Sequence, residues 1–264
     1  MPASPVETTS RRLHDSNIVY PLVFALFLLL MWEFTVSRLG IAQVVLPGPS
    51  AIVEQMVSDF SIQFAAAQVT LTYIIASFVI GSLIGILFAI GLSLSTTLEQ
   101  AAQPILVVTF VIPKIVVAPI LFVWFGPTWQ YFLLVPVLLV FFPIMENTLE
   151  GIKTVPEGFR NLATASNATL GFQFRHVKLP YALPQMMAGL KIGIRQAVVG
   201  VIVAEFIAPE QGLGELIIIG TEIGQPLVSF GAILSIIVIG LVLYGIVEMV
   251  DRRMVFWNSG GGDR

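Results

Sequence analysis

The sequence predicts an all-α integral membrane protein with about six transmembrane helices. Hydrophobic residues occupy 56% of the 264 positions and charged residues only 11%, whereas a soluble domain has roughly 45–50% apolar and roughly 25% charged residues. The mean hydropathy is +0.92. A compact globule of this size cannot bury so much apolar surface, so lipid must cover part of it.

Six apolar segments are long enough to cross a bilayer core about 30 Å thick, which takes about 20 helical residues. They are residues 18–37, 69–94, 104–125, 129–148, 187–207 and 229–249. Two arginines before the first segment make it resemble a secretory signal. However, Trp32-Glu33-Phe34 stands where a cleavage site needs small residues, so we expect a retained anchor. Residues 18–250 should then form one transmembrane domain between the tails 1–17 and 251–264.

Small residues recur at every fourth position in two of these segments, which lets the backbone of another helix come close. They are Ser77, Gly81, Gly85 and Ala89 in the second segment, and Gly189, Gly193 and Ala197 in the fifth. Between the first two segments, residues 49–60 place apolar side chains at helical spacing with charges between them. This pattern predicts a short amphipathic helix that lies either on the membrane surface or on top of the protein itself.

The positive charges predict the orientation, because lysine and arginine favour the cytoplasmic side of a membrane. With six spans, one side receives Arg11, Arg12, Lys153, Arg160, Arg175, Lys178, Lys191, Arg195, Arg252 and Arg253. The other side receives only Arg38, together with Glu54, Asp59, Glu210, Glu215 and Glu222. Both termini and the loop at about 150–185 are therefore predicted to be cytoplasmic, since an odd number of spans would split the positive clusters.

Several classes of function are disfavoured. The chain has no cysteine, and its two histidines, His14 and His176, have no metal-binding spacing, so we expect no metal site. No Gly-x-x-x-x-Gly-Lys-Ser/Thr phosphate loop and no catalytic constellation is present, so we expect neither an enzyme nor a bound cofactor. The net charge of −3 gives no sign of nucleic-acid binding.

Three charged residues inside the apolar segments are candidates for a translocation pathway: Lys114, Glu146 and Glu205. A charge in hydrocarbon is costly, so it normally faces a protein interior or a wet cavity. Lys114 is the strongest candidate because Pro113 and Pro119 weaken the helix on either side of it and free backbone carbonyls. The alternative is a structural role, in which Lys114 reaches a lipid headgroup or pairs with one of the two glutamates.

The loop at about 150–185 is the longest polar stretch inside the chain. Leu162, Ala165 and Ser166 form a small face at helical spacing. This face predicts a short helix that is presented to a partner protein.

Within this loop, residues 161–180 resemble the EAA signature of binding-protein-dependent ABC importer permeases. That signature reads Glu-Ala-Ala, three residues, Gly, nine residues, Ile, one residue and Leu-Pro. The corresponding positions are Asn161, Leu162, Ala163, Asn167, Val177, Leu179 and Pro180. Asn161, Leu162 and Asn167 replace the Glu, the first Ala and the Gly, and Val177 takes the position of the Ile.

The resemblance extends over nearly the whole chain. Leu46-Pro47-Gly48-Pro49-Ser50, Ile112-Pro113-Lys114, Val203-Ala204-Glu205 and Gly212-Leu213-Gly214 are similar to segments of the nitrate/sulfonate/taurine branch of this family. That branch also contains permeases for thiamine precursors and riboflavin.

The resemblance implies a type I ABC importer permease in the bacterial cytoplasmic (inner) membrane, with the signature forming a coupling helix. It further implies a homodimer of permeases around the pathway, and two ABC ATPase subunits that dock on the cytoplasmic loops and hydrolyse ATP. An extracytoplasmic solute-binding protein would deliver a small solute such as a sulfonate, nitrate, taurine or a vitamin precursor. The competing interpretation is a self-contained secondary transporter that couples ions through Lys114, Glu146 and Glu205, but no repeat relates the two halves of the chain.

Overall fold

A computed structural model of the chain describes residues 9–256, in which every regular element is a helix. Eleven α-helices lie in this range: α1 (Thr9–Leu39), α2 (Pro49–Ser58), α3 (Phe60–Ser93), α4 (Thr96–Val111), α5 (Val117–Phe125), α6 (Trp129–Lys153), α7 (Glu157–Ala165), α8 (Leu170–Gln173), α9 (Leu179–Ile207), α10 (Gly212–Glu222) and α11 (Pro226–Met254). A 3-10 turn at Lys114–Val116 precedes α5, and a π-helical turn at Phe174–Lys178 precedes α9. The predicted all-α class is confirmed, while residues 1–8 and 257–264 of the two tails lie outside the described residues.

Among the described residues, four helices are long and apolar enough to cross a membrane by themselves: Val19–Leu39 within α1, and the whole of α3, α6 and α11. Gly171–Ile207 and α10 meet at a bend of 47°, and they make a fifth candidate span when the two are counted together. These five helices correspond to five of the six predicted segments, although α3 begins at Phe60 rather than at residue 69.

The third predicted span, residues 104–125, is not one helix, which corrects the predicted number of uninterrupted spans. α4 ends at Val111, and Ile112 is extended, with φ of −71° and ψ of 123°. Pro113 explains the break because it has no N–H to donate and disfavours a helical conformation in the residue before it. The chain then continues through the 3-10 turn into α5, so the third apolar segment consists of two short helices.

α6 lies between α3 and α9 and forms the centre of the bundle. A side chain added at Gly85 of α3 would come within 2.9 Å of the carbonyl oxygen of Phe141, and one added at Gly193 of α9 would come within 2.6 Å of the Ile144 side chain. Both stripes of small residues are thereby confirmed as the faces on which α3 and α9 pack against α6. Ile144 is fully buried between the two stripes and belongs to the main hydrophobic cluster.

α2 packs on the protein, which favours the second of its two predicted positions. Ile52 is buried, and Met56 lies against Gly231 of α11, where an added Cβ would be 3.0 Å from the Met56 Cγ. Val53 and Val57, on the adjacent face of the helix, are exposed. The helix therefore closes the end of the bundle at which α3 and α11 begin.

The loop between α6 and α9 contains α7, α8 and the π-helical turn, and it is attached to the bundle at both ends. Val155 is buried just before α7, and the rings of Phe159 and Tyr181 lie 5.4 Å apart. A side chain added at Gly151 would come within 2.8 Å of the carbonyl oxygen of Ala182. The end of α6 thus packs directly on the start of α9.

Candidate functional site

The first candidate site is α7, the short helix in the loop between α6 and α9. Glu157 lies in its first turn, where a carboxylate interacts favourably with the positive end of the helix dipole. Leu162 is 64% exposed and Phe159 is 47% exposed. Ala165 and Ser166, the other members of the predicted face, are exposed as well. An exposed apolar face on a helix in a polar loop is a surface suited to contact with a partner protein.

Asn167 follows α7 in a left-handed backbone conformation, with φ of +52°. Glycine adopts this conformation at little cost, and asparagine is one of the few other residues that tolerate it. The last turn is closed by the backbone N–H of Ser166, which donates to the carbonyl oxygen of Leu162 at 3.0 Å. A residue of this conformation commonly ends a helix. Asn167, at the position that corresponds to the glycine of the EAA signature, thus has a backbone conformation that glycine favours.

The rear part of the signature attaches the loop to the bundle. Leu179 is half-buried against a cluster that contains Ile152 and Ala182. Val177 is half-buried in the π-helical turn, and Pro180 is exposed in the first turn of α9. Of the other predicted docking residues, Leu162 and Asn167 are exposed, and the side chains of Asn161 and Ala163 lie outside the described part of the structure.

Lys114 opens the 3-10 turn directly after the break at Pro113. Its Nζ lies 5.1 Å from the ring centroid of Phe142 on α6, which is a cation–π distance. Glu146 is exposed one turn beyond Phe142, on the same face of α6. The break in the third apolar segment thus places Lys114 against the middle of α6, beside the face that carries Glu146.

Glu205 is fully buried in a separate hydrogen-bond cluster. Its Oε1 accepts from the hydroxyl of Thr70 at 2.8 Å, and its Oε2 accepts from the backbone N–H of Gly214 at 2.7 Å. The Thr70 hydroxyl oxygen accepts in turn from the backbone N–H of Leu213 at 2.8 Å. The cluster joins α3 and α9 to the first turn of α10, whose N–H groups have no partner within the helix. This geometry gives Glu205 a structural position, and its pathway role stays a prediction.

Two glycines make room for the Glu205 carboxylate. Gly212 opens α10 with φ of +90°, a conformation that glycine adopts readily and other residues avoid. A side chain added at Gly214 would come within 2.5 Å of the Glu205 Cβ. Val203-Ala204-Glu205 and Gly212-Leu213-Gly214, which are separate in the sequence, are therefore one structural unit that closes the bend between α9 and α10.

A second glutamate caps a helix in the same way, and sequence reasoning missed it. Glu33 of α1 accepts from the backbone N–H of Ser50 at 3.0 Å and from its hydroxyl at 2.8 Å, in the first turn of α2. A side chain added at Gly48 would come within 3.1 Å of the Glu33 carboxylate. The available signal in both cases was a glycine at a helix start together with an acid in an apolar segment elsewhere.

An ionic cluster joins the middle of α9 to the end of α11, and the sequence analysis did not foresee it. Lys191 lies 2.5 Å from carboxylate oxygens of both Glu248 and Asp251. Arg252 contacts Glu248 at 3.0 Å. Lys191, which served above only as evidence for the predicted cytoplasmic side, is thus paired with two acids.

Comparison with known proteins assigns these elements to a family. Residues 81–256 match the family model described as the binding-protein-dependent transport system inner membrane component. The chain belongs to this family. The matched region includes the end of α3 from Gly81 onward, the loop with α7, and both α9 and α10, so the signature loop and the Glu205 carboxylate lie within it.

Relatives in several organisms agree with this assignment over most of their length. A probable ABC transporter permease of Haemophilus influenzae is 29% identical over 91% of this chain and 98% of its own. The riboflavin transport system permease of Chloroflexus aurantiacus is 30% identical over 90% of this chain and 89% of its own. The formylaminopyrimidine transport permease of Halalkalibacterium halodurans is 30% identical over 90% of this chain and 96% of its own.

These matches confirm the predicted resemblance to ABC importer permeases. Further relatives are named as permeases for aliphatic sulfonates, taurine and nitrate, so the predicted branch is confirmed too. The chain is the permease component of a transporter and not an enzyme, and it is a multi-pass membrane protein of a family of inner membrane components. The alternative of a self-contained secondary transporter finds no support among these relatives.

Proposed function

We propose that two copies of this permease enclose the translocation pathway and that α7 of each copy docks on an ABC ATPase subunit at the cytoplasmic face. A solute-binding protein delivers the solute from the opposite face, and ATP hydrolysis takes place in the ATPase partner. The exposed face of α7 around Leu162 carries the proposal, because it is an apolar surface outside the membrane-spanning helices.

The attachment of α7 supports a role in transmitting force. The helix lies between α6 and α9 in the chain, and Gly151 and Ala182 hold these two helices together where they enter the loop. The contact of Phe159 with Tyr181 fixes α7 to α9. A displacement of α7 by the ATPase would therefore move α6 and α9 together, as a switch between two packed arrangements requires.

Two observations support a homodimer. Within the described residues, α1 contacts the rest of its own chain mainly through α2, and its membrane-spanning part is almost wholly exposed. Glu146 is exposed on α6, and a carboxylate is costly when it faces lipid. A second copy placed against this face of α6 would cover Glu146 and would enclose Lys114 and Glu146 in one pathway.

We propose that the solute belongs to the sulfonate, nitrate, taurine and vitamin-precursor group. The riboflavin and formylaminopyrimidine permeases, each 30% identical to this chain, favour a vitamin-related ring compound. Lys114 beside the Phe142 ring offers a positive charge and an aromatic face, which suit a ring that carries polar groups. Uptake of riboflavin, formylaminopyrimidine, taurine and nitrate, each labelled and measured separately, decides among them. No uptake of any of the four would reject the group.

The docking proposal is tested by Leu162→Glu. A charge on the exposed face of α7 leaves the bundle intact but opposes burial of that face in the ATPase groove. We expect copurification of the ATPase subunit and solute uptake to fall at least tenfold, since loss of a central apolar contact costs about 2 kcal/mol or more and about 1.4 kcal/mol is already a factor of ten. The amount of permease in the membrane should stay at the wild-type level.

Leu98→Glu is the matched control. Leu98 is an exposed leucine in the first turn of α4, at the same end of the bundle, because the neighbouring Glu99 contacts Lys153 at 3.0 Å. This variant should retain ATPase binding and uptake. Normal copurification and uptake with Leu162→Glu would reject α7 as the docking helix.

A further inference from the structure

A groove of about 610 Å³ runs between α9 and α11 on the outside of the bundle. Its walls are apolar over most of their length, with Val198 of α9 facing Gly240 of α11. Arg195 and Tyr244 close one end of it. The groove is thus an apolar channel along the membrane-spanning helices with one positively charged end.

The charged end lies near a boundary of the membrane. The apolar run of α11 continues to Val247, and Glu248 is its first charged residue. Tyr244 precedes Glu248 by one turn, and tyrosine is enriched at the level of the lipid headgroups. Arginine at such a depth extends its guanidinium towards the headgroup region while its stem stays on apolar surface.

Arg195 is held in place without a carboxylate. Its Nε donates to the carbonyl oxygen of Lys191 at 3.1 Å, and its guanidinium carbon lies 5.6 Å from the ring centroid of Tyr244. The cation one turn away, Lys191, contacts two acids, whereas no carboxylate of the described residues pairs with Arg195. An exposed guanidinium at this depth therefore needs an anion from outside the chain.

Gly240 provides the space beside this charge. An added Cβ would have the Val198 Cγ2 as its nearest neighbour, at 4.0 Å, so the helix surface at this point is open. We infer that the groove binds an anionic phospholipid, with the phosphate at Arg195 and an acyl chain along Gly240. Basic sites between transmembrane helices are known to suit anionic headgroups. The cytoplasmic leaflet follows only from the proposed orientation, and the binding itself does not depend on it.

A lipid fits this groove better than a second copy of the chain does. The lining offers one positive charge at one end and apolar surface elsewhere, which matches the layout of a phospholipid. A second copy would have to supply both an acid for Arg195 and a matching apolar ridge for the groove, whereas one phospholipid carries both.

The test compares phosphatidylglycerol with phosphatidylcholine of the same acyl chains, added to the full-length protein in neutral detergent, with bound lipid counted by native mass spectrometry. We expect the wild type to bind more phosphatidylglycerol than phosphatidylcholine. In Arg195→Gln, the ratio of bound phosphatidylglycerol to bound phosphatidylcholine should fall about fivefold. Arg253→Gln, which removes an exposed charge at the end of α11 but outside the groove, is the control and should keep it.

The variant Gly240→Leu fills the apolar part of the groove and leaves Arg195 unchanged, so it tests the groove independently of the charge. Leucine is a better helix former than glycine and has room at this position, so the variant should fold while losing most binding of both lipids. An unchanged phosphatidylglycerol preference in Arg195→Gln, or equal binding of both lipids by the wild type, would overturn the inference. So would a loss of dimer with unaltered lipid binding, which would make the groove a subunit contact. The assay requires no ATPase and no transport, so its failure is distinct from failure of the docking proposal.

Discussion

Glu205 illustrates how an apolar bundle accommodates a carboxylate, by giving each of its oxygens a hydrogen-bond donor. Both carboxylate oxygens are bonded, one to Thr70 and one to Gly214, and the side chain is fully buried. Sequence position alone placed Glu205 with Lys114 and Glu146 as a pathway candidate. The buried position of Glu205 depends on α10, which begins opposite the carboxylate. Only the fold brings the two together, so the sequence alone did not reveal this contact.

We predict that Glu205→Gln and Thr70→Val each lower the free energy of unfolding by about 1–3 kcal/mol. Glu205→Gln replaces one of the two acceptor oxygens by an NH2 group, and Thr70→Val leaves the buried N–H of Leu213 without its acceptor. The combined variant should lose less than the sum of the two, since both residues belong to one network. Thermal unfolding of the purified protein in detergent measures this. Glu210→Gln, at an exposed acid of the same loop, should unfold like the wild type. A wild-type melting temperature for Glu205→Gln would show that the cluster is not a structural one.

At the scale of helices, close packing depends on the positions of the glycines in a helix rather than on their number. Gly85 and Gly91 both lie in α3. An added side chain at Gly85 would meet backbone atoms of α6, the carbonyl oxygen of Phe141 at 2.9 Å and the amide nitrogen of Met145 at 3.2 Å, whereas one at Gly91 would meet nothing within 4 Å. The four-residue spacing identified the first glycine and left out the second.

We therefore predict that Gly85→Leu destabilises the protein by about 1–3 kcal/mol or more, because backbone atoms of α6 cannot move aside as a side chain can. Gly91→Leu makes the same chemical change in the same helix and should leave the melting temperature near that of the wild type. Thermal unfolding and the yield from membranes report both effects. Equal destabilisation by the two variants would mean that helix propensity or lipid contact, and not packing on α6, determines the loss of stability.

Spacing rules also explain which elements were predictable. The apolar segments and small-residue stripes follow periodicities that lie within one helix, so the packing faces of α3 and α9 could be foreseen, whereas their shared partner α6 could not. The split of residues 104–125 depends on a single residue, Pro113, whose effect varies with context: Pro136 and Pro143 lie inside an unbroken α6. The caps by Glu33 and Glu205 join distant parts of the chain, and no local pattern specifies such contacts.

At the scale of the whole molecule, contacts between distant elements support six crossings. Glu99 and Lys153 are in contact at 3.0 Å, so the chain returns to the same end of the bundle after α4, α5 and α6. At the opposite end, the Gln63 side chain donates to the carbonyl oxygen of Val228 at 3.5 Å, so α3 and α11 begin together. Taken with α1 and α9, this arrangement gives an even number of crossings if α4 and α5 together count as one.

An even number puts both termini and α7 on one side, and the arginines and lysines of that side predict that it is the cytoplasm.

The chain has no cysteine, so single cysteines can report the orientation without background labelling. We predict that Ser166→Cys, at the exposed end of α7, reacts with a membrane-impermeant maleimide only in inside-out vesicles. Thr128→Cys, in the exposed turn between α5 and α6, should react only from the outer face, as in intact spheroplasts. Labelling of Ser166→Cys from outside would place α7 out of reach of an ATPase and would reject the docking proposal. Labelling of both cysteines from the same side would instead show that the segment between them crosses an even number of times, and would reject α6 as a single span.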